Sequence, residues 1–158
     1  MSERMVNQSK RELLYRKAHG KIILNEYLDK IASLFTTDGQ WEMVPLKETD
    51  VILERFRAES ARLKKEVVII CGNDLCGELS DVKKCQGGFY VLIDDDWRYC
   101  GILLVREVKG INIGVKLGEK ILNDIIFIST DMSVATSFDF FEAAGRSQVE
   151  VTKWRAAG

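Results

Sequence analysis

Three consecutive carboxylates, Asp94, Asp95 and Asp96, are the most distinctive chemical group in this chain. Ionised side chains this close repel one another at a cost of roughly a few tenths of a kcal/mol each, so some interaction should offset the repulsion. Aspartates in such a position cap the backbone of a solvated turn, meet a basic protein partner, or hold a divalent cation. The sequence leaves all three roles open.

The metal role gains support from Glu107 and Lys109, which follow the aspartates on the next apolar segment. Many nucleases hold Mg²⁺ with an aspartate on one strand and a Glu-x-Lys on the next, where the lysine stabilises developing charge. With Asp94 or Asp96 as the aspartate, this chain resembles that restriction-endonuclease-like pattern. Glu-x-Lys is common in charged chains, however, and a site across a hairpin would hold its halves at opposite ends. A Mg²⁺-dependent nuclease is therefore the alternative function, and the favoured interpretation has no metal.

A protein-binding role gains support from Trp97, which directly follows the aspartates. Aromatic residues are enriched at interface hot spots, so an aromatic anchor ringed by carboxylates is typical of a docking surface. Farther along, strand alternation places Asp139 on the face opposite Phe138 and Phe140. Other carboxylates can extend an acidic surface if they share its face: Asp124, Asp131 and Glu142. The predicted contact residues are Asp94, Asp95, Asp96, Trp97, Asp139 and Glu142.

The remaining reactive side chains indicate no catalytic site. The single histidine, His19, lies in a helical segment with no identifiable serine, cysteine or aspartate partner nearby. The four cysteines, Cys71, Cys76, Cys85 and Cys100, match no zinc spacing, and thiols stay reduced in a chain without a secretion signal. Glycine-rich phosphate loops, nucleophile elbows and dinucleotide fingerprints are absent. We therefore expect no catalytic residue, no cofactor and no enzymatic activity.

Composition predicts one folded domain over residues 1–158, with a flexible segment at 1–9. Hydrophobic residues make up 46% of the 158-residue chain and charged residues 30%, which is typical of a globular protein. The apolar runs are too short to span a bilayer, so we expect a cytoplasmic protein without a membrane partner. The net charge is −1, and acidic residues are interspersed among the basic ones of the N-terminal third, so no nucleic-acid partner is expected.

Helical spacing of apolar residues dominates the first part of the chain. A helix is predicted over 10–35, with Gly20 as a potential break and an end in the polar segment 36–39. Its apolar stripe consists of Leu24, Tyr27, Leu28, Ile31, Leu34 and Phe35. After an extended connector at 41–46, a second helix is predicted to begin near Thr49 or Asp50 and to end at Lys64 and Lys65.

Strand patterns dominate the rest of the chain. The almost wholly apolar run at 66–72 predicts a central strand, and the loop at 72–88 has room for a short helix around 79–84. A hairpin is predicted over 88–108 with the three aspartates at its corner, followed by strands at 111–118, 125–129, 134–141 and 149–154. The predicted fold class is α+β, with N-terminal helices followed by a mostly antiparallel, twisted sheet of about six strands.

This combination resembles bacterial toxin-immunity proteins, the partners of contact-dependent growth-inhibition and polymorphic toxins. The features that carry the resemblance are helices first and strands after, the acidic and aromatic corner at 93–101, and the segment Phe-Ile-Ser-Thr-Asp-Met-Ser at 127–133. The resemblance implies a non-enzymatic protein that covers the active site of a cognate toxin domain with a charged surface. It names no subfamily.

Two points stay open at this stage. A regulatory or phage-derived module that binds another host protein would use the same acidic surface, and it is a second alternative to an immunity protein. The oligomeric state is also open, because an exposed strand at the edge of the sheet can support dimerisation. The sequence does not identify which strand is the edge.

Overall fold

The computed structural model describes residues 3–36, 41–118 and 122–157. The helices are α1 (Glu3–Leu34), α2 (Leu46–Ser60), α3 (Leu75–Lys83) and the short α4 (Trp97–Cys100), with 3₁₀ turns at Gly72–Asp74 and Val108–Gly110. The strands are β1 (Trp41–Met43), β2 (Lys64–Cys71), β3 (Phe89–Ile93), β4 (Leu103–Val105), β5 (Asp124–Ser129), β6 (Ala135–Ala143) and β7 (Arg146–Arg155). None of the described helices is both long and apolar enough to cross a membrane.

All strands of the described chain form one seven-stranded sheet in the order β1-β4-β3-β5-β6-β7-β2. Every neighbouring pair is antiparallel. The predicted α+β fold with a mostly antiparallel sheet is therefore confirmed. One strand was not predicted. This is β1, which lies in the segment predicted as an extended connector and pairs with β4.

The two faces of the sheet pack against different helices. The first face carries Val91, Phe127 and Phe138, and it is covered by α1 and α3 in the larger core cluster. Tyr27, Ile31 and Leu34 supply the buried stripe of α1, as its spacing predicted. The second face carries Leu92, Ile128 and Ala135 and packs against Leu53 and Phe56 of α2 in a smaller cluster. Burial of such side chains contributes about 1.5–3 kcal/mol each.

Gly20 does not break α1, contrary to prediction. The helix runs from Glu3, within the segment predicted to be flexible, to Leu34 without interruption. Gly20 is buried, and a Cβ atom there would collide with the backbone carbonyl of Tyr99. The glycine therefore lets α4 approach α1 closely, and the Tyr27 hydroxyl secures the contact by donating a hydrogen bond to the Gly101 carbonyl at 2.6 Å.

The bounds of α2 differ from the prediction at both ends. The helix begins at Leu46, directly after Pro45, because a proline there has no N–H to leave unpaired. Thr49 is buried instead of capping the helix, and its hydroxyl donates to the Val44 carbonyl at 3.2 Å. Lys64 and Lys65 do not end α2 but open β2.

Residues 111–118 alternate as a strand would, but only the isolated bridge between Ile111 and Phe35 forms there. Ile111, Val115 and Leu117 are nevertheless buried in the core of the first face. A side-chain hydrogen bond from the Gly114 N–H to Asn112 folds the segment into a turn. Alternating burial is thus achieved by a loop, without a ladder of backbone hydrogen bonds.

The apolar strand β2 is at the edge of the sheet, so the prediction of a central strand is wrong. Within the described chain it pairs with β7 alone. Val67, Val68 and Ile69 are 50%, 45% and 58% exposed. An apolar run alone therefore does not distinguish a central strand from a strand at the edge of a sheet.

Candidate protein-binding surface

Lys30 holds two of the three consecutive aspartates. Its Nζ lies 2.8 Å from Oδ2 of Asp94 and 3.2 Å from both carboxylate oxygens of Asp96. The side chains of Asp94 and Asp96 are only 11% and 14% exposed. The repulsion between them is therefore offset from within the fold, by a cation on α1.

Asp94 also fastens the corner of the β3–β4 hairpin to the start of β5. Its Oδ1 accepts hydrogen bonds from the backbone N–H groups of Asn123 and Asp124, at 2.9 and 2.8 Å. Its own N–H donates to the Asp124 carbonyl at 2.9 Å. The backbone of Asp94 has a φ of 48°, a left-handed conformation that aspartate tolerates better than most residues. Asp94 is thus a structural residue.

Asp96 and Asp95 have different surroundings. The Asp96 carbonyl accepts hydrogen bonds from the N–H groups of Tyr99 and Cys100, which sets the first turn of α4. Burial raises the pKa of Asp96, although the Lys30 ammonium acts in the opposite direction. The Asp95 side chain is 82% exposed and pairs only loosely with Arg98, at 3.2 Å. Only one carboxylate of the three, that of Asp95, therefore faces solvent.

The nuclease constellation is not assembled. Val105, the last residue of β4, pairs with Phe89 at the beginning of β3, whereas Asp94 follows the end of β3. Glu107 and Lys109 follow β4 and lie at the end of the hairpin opposite the aspartates, and both are exposed. No set of three potential metal-ligating side chains comes together in the described residues.

Trp97 is anchored inside the protein. It is half-buried at the first position of α4 and packs against the core cluster of the second face. The Arg98 guanidinium covers its ring, at 4.7 Å from the ring centroid. Trp97 therefore helps to fix the corner and is not an exposed anchor.

A different acidic group crosses the sheet, and we call Asp124, Asp139 and Glu150 the carboxylate row. Asp124 on β5 pairs in register with Asp139 on β6, which pairs with Glu150 on β7. Residues in register on neighbouring strands point to the same face, so the row lies on the second face beyond α2. Asp139 is exposed, and the other two are half-buried. The sequence prediction that Asp139 lies opposite the Phe138 face is confirmed.

The electrostatics of the carboxylate row are unusual. The pKa of Asp124 is raised to about 7. Burial is the largest cause, and a hydrogen bond and charge repulsion from Asp139 contribute less. Asp94 and Asp95 add further repulsion. The Asp94 N–H donates to the Asp124 carbonyl, so the exposed Asp95, the next residue, adjoins the same end of the row. In the described part of the chain no lysine, arginine or histidine forms an ion pair with the row. The surface therefore presents negative charge that the described fold does not neutralise.

Apolar groups flank the carboxylate row. Phe141, two residues after Asp139 on β6, shares its face and is half-buried. Glu150 pairs with Ile69 of β2, so the row ends at the exposed apolar edge of the sheet. An aromatic ring and aliphatic groups beside carboxylates are the composition expected of an interface.

Glu142 is separated from the other predicted contact residues. It lies three positions from Asp139 on β6 and therefore points to the first face. There it lines an open cavity of about 750 Å³ together with Lys116, Arg146, Cys71 and Cys76. Glu142 thus does not extend the acidic surface that Asp139 belongs to.

Sequence reasoning missed Lys30 and the role of Glu150. Lys30 falls within the buried stripe of α1, three residues after Tyr27 and four before Leu34, so its position was a signal for a buried counter-ion. Glu150 alternates with the apolar residues Val149 and Val151, which indicated the opposite face. Neither signal identifies the partner on another strand or helix.

His19 and the cysteines form no reactive group in the described structure. The imidazole of His19 packs against the ring of Tyr99, with 4.3 Å between centroids. Cys71, Cys76 and Cys85 are exposed free thiols, and the Cys100 thiol contacts the Gly20 carbonyl at 3.5 Å.

No protein-family model matches the chain, and no curated protein or solved structure is significantly similar to it.

Proposed function

We propose that this protein is a non-enzymatic binding protein that docks a basic protein partner on the carboxylate row, with Asp95 beside the row and Phe141 as the aromatic contact. The observation that carries the proposal is the register of Asp124, Asp139 and Glu150 across three strands. Like charges directly opposite each other destabilise a sheet unless something compensates them. An incoming lysine or arginine would provide that compensation.

The raised pKa of Asp124 gives the docking step a measurable signature. Burial and Asp139 hold this pKa at about 7, so part of the Asp124 population is protonated near neutral pH. A cation placed beside the row favours the ionised form and lowers the pKa. Binding a basic partner should therefore release protons at pH values near 7, and ions in solution should slow association by screening the attraction.

The partner that we propose is the toxin domain of a bacterial contact-dependent or polymorphic toxin system, and the protein would then be its immunity protein in the bacterial cytoplasm. Support comes from the resemblance in kind described above. The local charge suits this role better than the net charge of −1 suggests, because the row and Asp95 concentrate four carboxylates at one place. A basic substrate groove on a toxin is the surface that such a group fits.

Growth of bacterial cells tests the proposal. Cells express the C-terminal domain of the protein encoded directly upstream, with or without this chain. Toxicity that this chain relieves supports an immunity protein. A domain that is not toxic, or whose toxicity persists when this chain is expressed, overturns it.

Matched variants test the location of the interface. Asp139→Lys combined with Glu150→Lys reverses charge on the carboxylate row and should abolish rescue. Glu142→Lys makes the same change on the same strand but on the opposite face, and rescue should persist. Circular dichroism and thermal unfolding of all variants check that the fold is retained. Full rescue by the double variant would rule out the row as the docking site.

Calorimetry on the purified pair supplies a second readout. Titrations at the same pH in two buffers of different ionisation enthalpy measure the number of protons exchanged on binding. We expect proton release with the wild-type protein and much less with Asp124→Asn. Equal proton exchange in both would show that the partner does not approach Asp124.

A further inference from the structure

β2 lacks the protection that edge strands usually carry. Its eight residues pair continuously with β7 from Lys64 to Cys71, so no bulge interrupts the strand. Charged residues occupy only the first part of the strand, and Val67–Ile70 contains neither a charge nor a proline. Soluble proteins normally shield a straight apolar edge because its free backbone groups recruit other strands. The exposed edge of β2 is therefore a candidate for pairing with a strand of another chain.

We propose that two copies of this protein pair through β2 in antiparallel orientation, so that the two seven-stranded sheets join into one. The proposal concerns the edge of the sheet and is independent of what binds the carboxylate row. Apolar side chains are exposed on both faces of β2, with Val67 and Ile69 on the second face and Val68 on the first. A strand from a second copy would cover groups on both faces at once.

Symmetry restricts the register. In a symmetric antiparallel pair, a two-fold axis normal to the sheet relates the two copies of β2, and directly opposed residues must point to the same face of the joined sheet. Both conditions hold only if one residue of β2 lies on the axis, opposite the same residue of the second copy. With Val68 on the axis, residues 65–71 all pair. Val67 then lies opposite Ile69, and Val68 lies opposite Val68 of the second copy. A register centred on Glu66 or Lys65 would instead place identical charges against each other, which is unfavourable.

Charges beyond the two ends of β2 favour a second copy as the occupant. Arg62 precedes the strand and Asp74 follows it, and both side chains are exposed. In the register centred on Val68, the end of β2 that follows Arg62 in one copy lies beside the end of β2 that precedes Asp74 in the other. The basic beginning of each strand, with Lys64 and Lys65, is thus near the acidic residue that follows the end of the other strand, twice per dimer. The edge is complementary to itself in charge as well as in apolar surface.

The dimer also changes the second face. Glu150 pairs with Ile69 within one copy, so the carboxylate row leads directly to the new seam. Two rows would lie on one continuous surface, on either side of the apolar side chains of Val67 and Ile69. A partner with two equivalent basic surfaces could then engage both rows.

Mass in solution tests the proposal with the full chain. Sedimentation equilibrium at micromolar concentration should give twice the chain mass of 18.0 kDa. Val68→Lys should give the single-chain mass, because a charge on the axis meets its own copy. The control is Ile22→Lys, which makes the same kind of change at a 79% exposed site on α1 and should stay dimeric. A monomeric wild type, or a dimer that Val68→Lys leaves intact, overturns the proposal.

Disulfide trapping tests the register without depending on a destabilising lysine. Directly opposed residues have Cα atoms about 4.5–5.5 Å apart, within the range that a disulfide spans. In a background with Cys71→Ser, Cys76→Ser and Cys85→Ser, oxidised Val68→Cys should form a covalent dimer. Val67→Cys and Ile69→Cys, each two positions from its own copy in this register, should form little. Absence of the Val68→Cys dimer, or equal trapping at all three positions, contradicts the register.

Hydrogen exchange distinguishes a second copy from another protein as the occupant of the edge. If the backbone amides of β2 become protected only when a toxin domain is added, the edge pairs with a strand of that domain and the proposal is overturned.

Discussion

Asp124 and Asp139 face each other directly across β5 and β6. Two carboxylates in this arrangement are both ionised only at a cost, and this raises the pKa of Asp124. Burial is the largest cause of the raised pKa of Asp124, and the neighbouring carboxylates add to it. The pair therefore makes the stability of the folded protein depend on pH near neutrality.

The first prediction concerns this pH dependence. The pKa of Asp124 rises from 3.8 to about 7 on folding, so the folded state binds the extra proton between these values. The resulting stabilisation is fully present below about pH 4 and is lost as pH rises through about 7. Asp139→Asn removes the competing charge, lowers the pKa of Asp124 and should flatten this part of the profile. At about pH 8 the variant should be more stable than the wild type.

Urea unfolding at a series of pH values measures this effect. Glu142→Gln is the control, because it removes a charge from the same strand on the opposite face. Its unfolding midpoints should follow the wild-type profile. If Asp139→Asn also follows that profile, Asp139 does not raise the pKa of Asp124 in the folded protein.

The second prediction concerns Lys30. Lys30→Met would leave the mostly buried carboxylates of Asp94 and Asp96 without their cation, and we expect a loss of about 2–3 kcal/mol in the free energy of unfolding at neutral pH. The loss should shrink in acid, where Asp96, whose pKa is raised by burial, becomes protonated. Lys84→Met breaks an exposed ion pair with Asp81 and should cost less than about 0.5 kcal/mol. Equal effects of the two substitutions in denaturant titrations would contradict a special role for Lys30.

The accuracy of the sequence predictions depends on how local each signal is. β3, β5, β6 and β7 were predicted within a few residues, because alternation along one strand reports which face is buried. β2 and residues 111–118 were misassigned because their burial is decided by segments far away in sequence. An apolar edge and an apolar central strand have the same composition, and a loop can bury alternate residues as a strand does.

In the candidate site, too, contacts between segments far apart in sequence decided what could not be predicted. The three aspartates were correctly identified as chemically unusual, but their roles diverge because of Lys30, a residue more than sixty positions earlier in the chain. Asp139 was predicted to lie on the face opposite Phe138 and Phe140, and Asp124 was among the carboxylates that would extend its surface if they shared that face. The pairing of β5, β6 and β7 was needed to show that Asp124 shares this face and that Glu150 completes the row. Residue type can indicate charge, whereas register decides which charges meet.

The third prediction compares two helical glycines. Alanine is favoured over glycine by about 1 kcal/mol inside a helix, and Gly77→Ala in α3 meets no atom within 4 Å, so this variant should be more stable than the wild type. Gly20→Ala has the same intrinsic advantage but would collide with the Tyr99 carbonyl. We expect Gly20→Ala to lower the melting temperature and Gly77→Ala to raise it. Two changes in the same direction would mean that α4 does not pack closely on α1.

The last prediction separates stability from binding within one tripeptide. Asp94→Ala loses two hydrogen bonds to the start of β5 and places alanine in a left-handed conformation, so we expect a loss of about 2–4 kcal/mol in stability. Asp95→Ala removes an exposed carboxylate that contributes only a surface ion pair, and its stability should stay within about 0.5 kcal/mol of the wild type.

Binding should show the reverse order. Asp95 adjoins the carboxylate row and faces solvent, so Asp95→Ala should slow association with the proposed basic partner, most clearly at low ionic strength. The folded fraction of Asp94→Ala should associate at nearly the wild-type rate, because Asp94 is neutralised by Lys30 and contributes little outward charge. Stopped-flow association measured alongside denaturant unfolding tests both halves. If Asp94→Ala slows association more than Asp95→Ala, then the docking surface lies at the corner itself and not along the row.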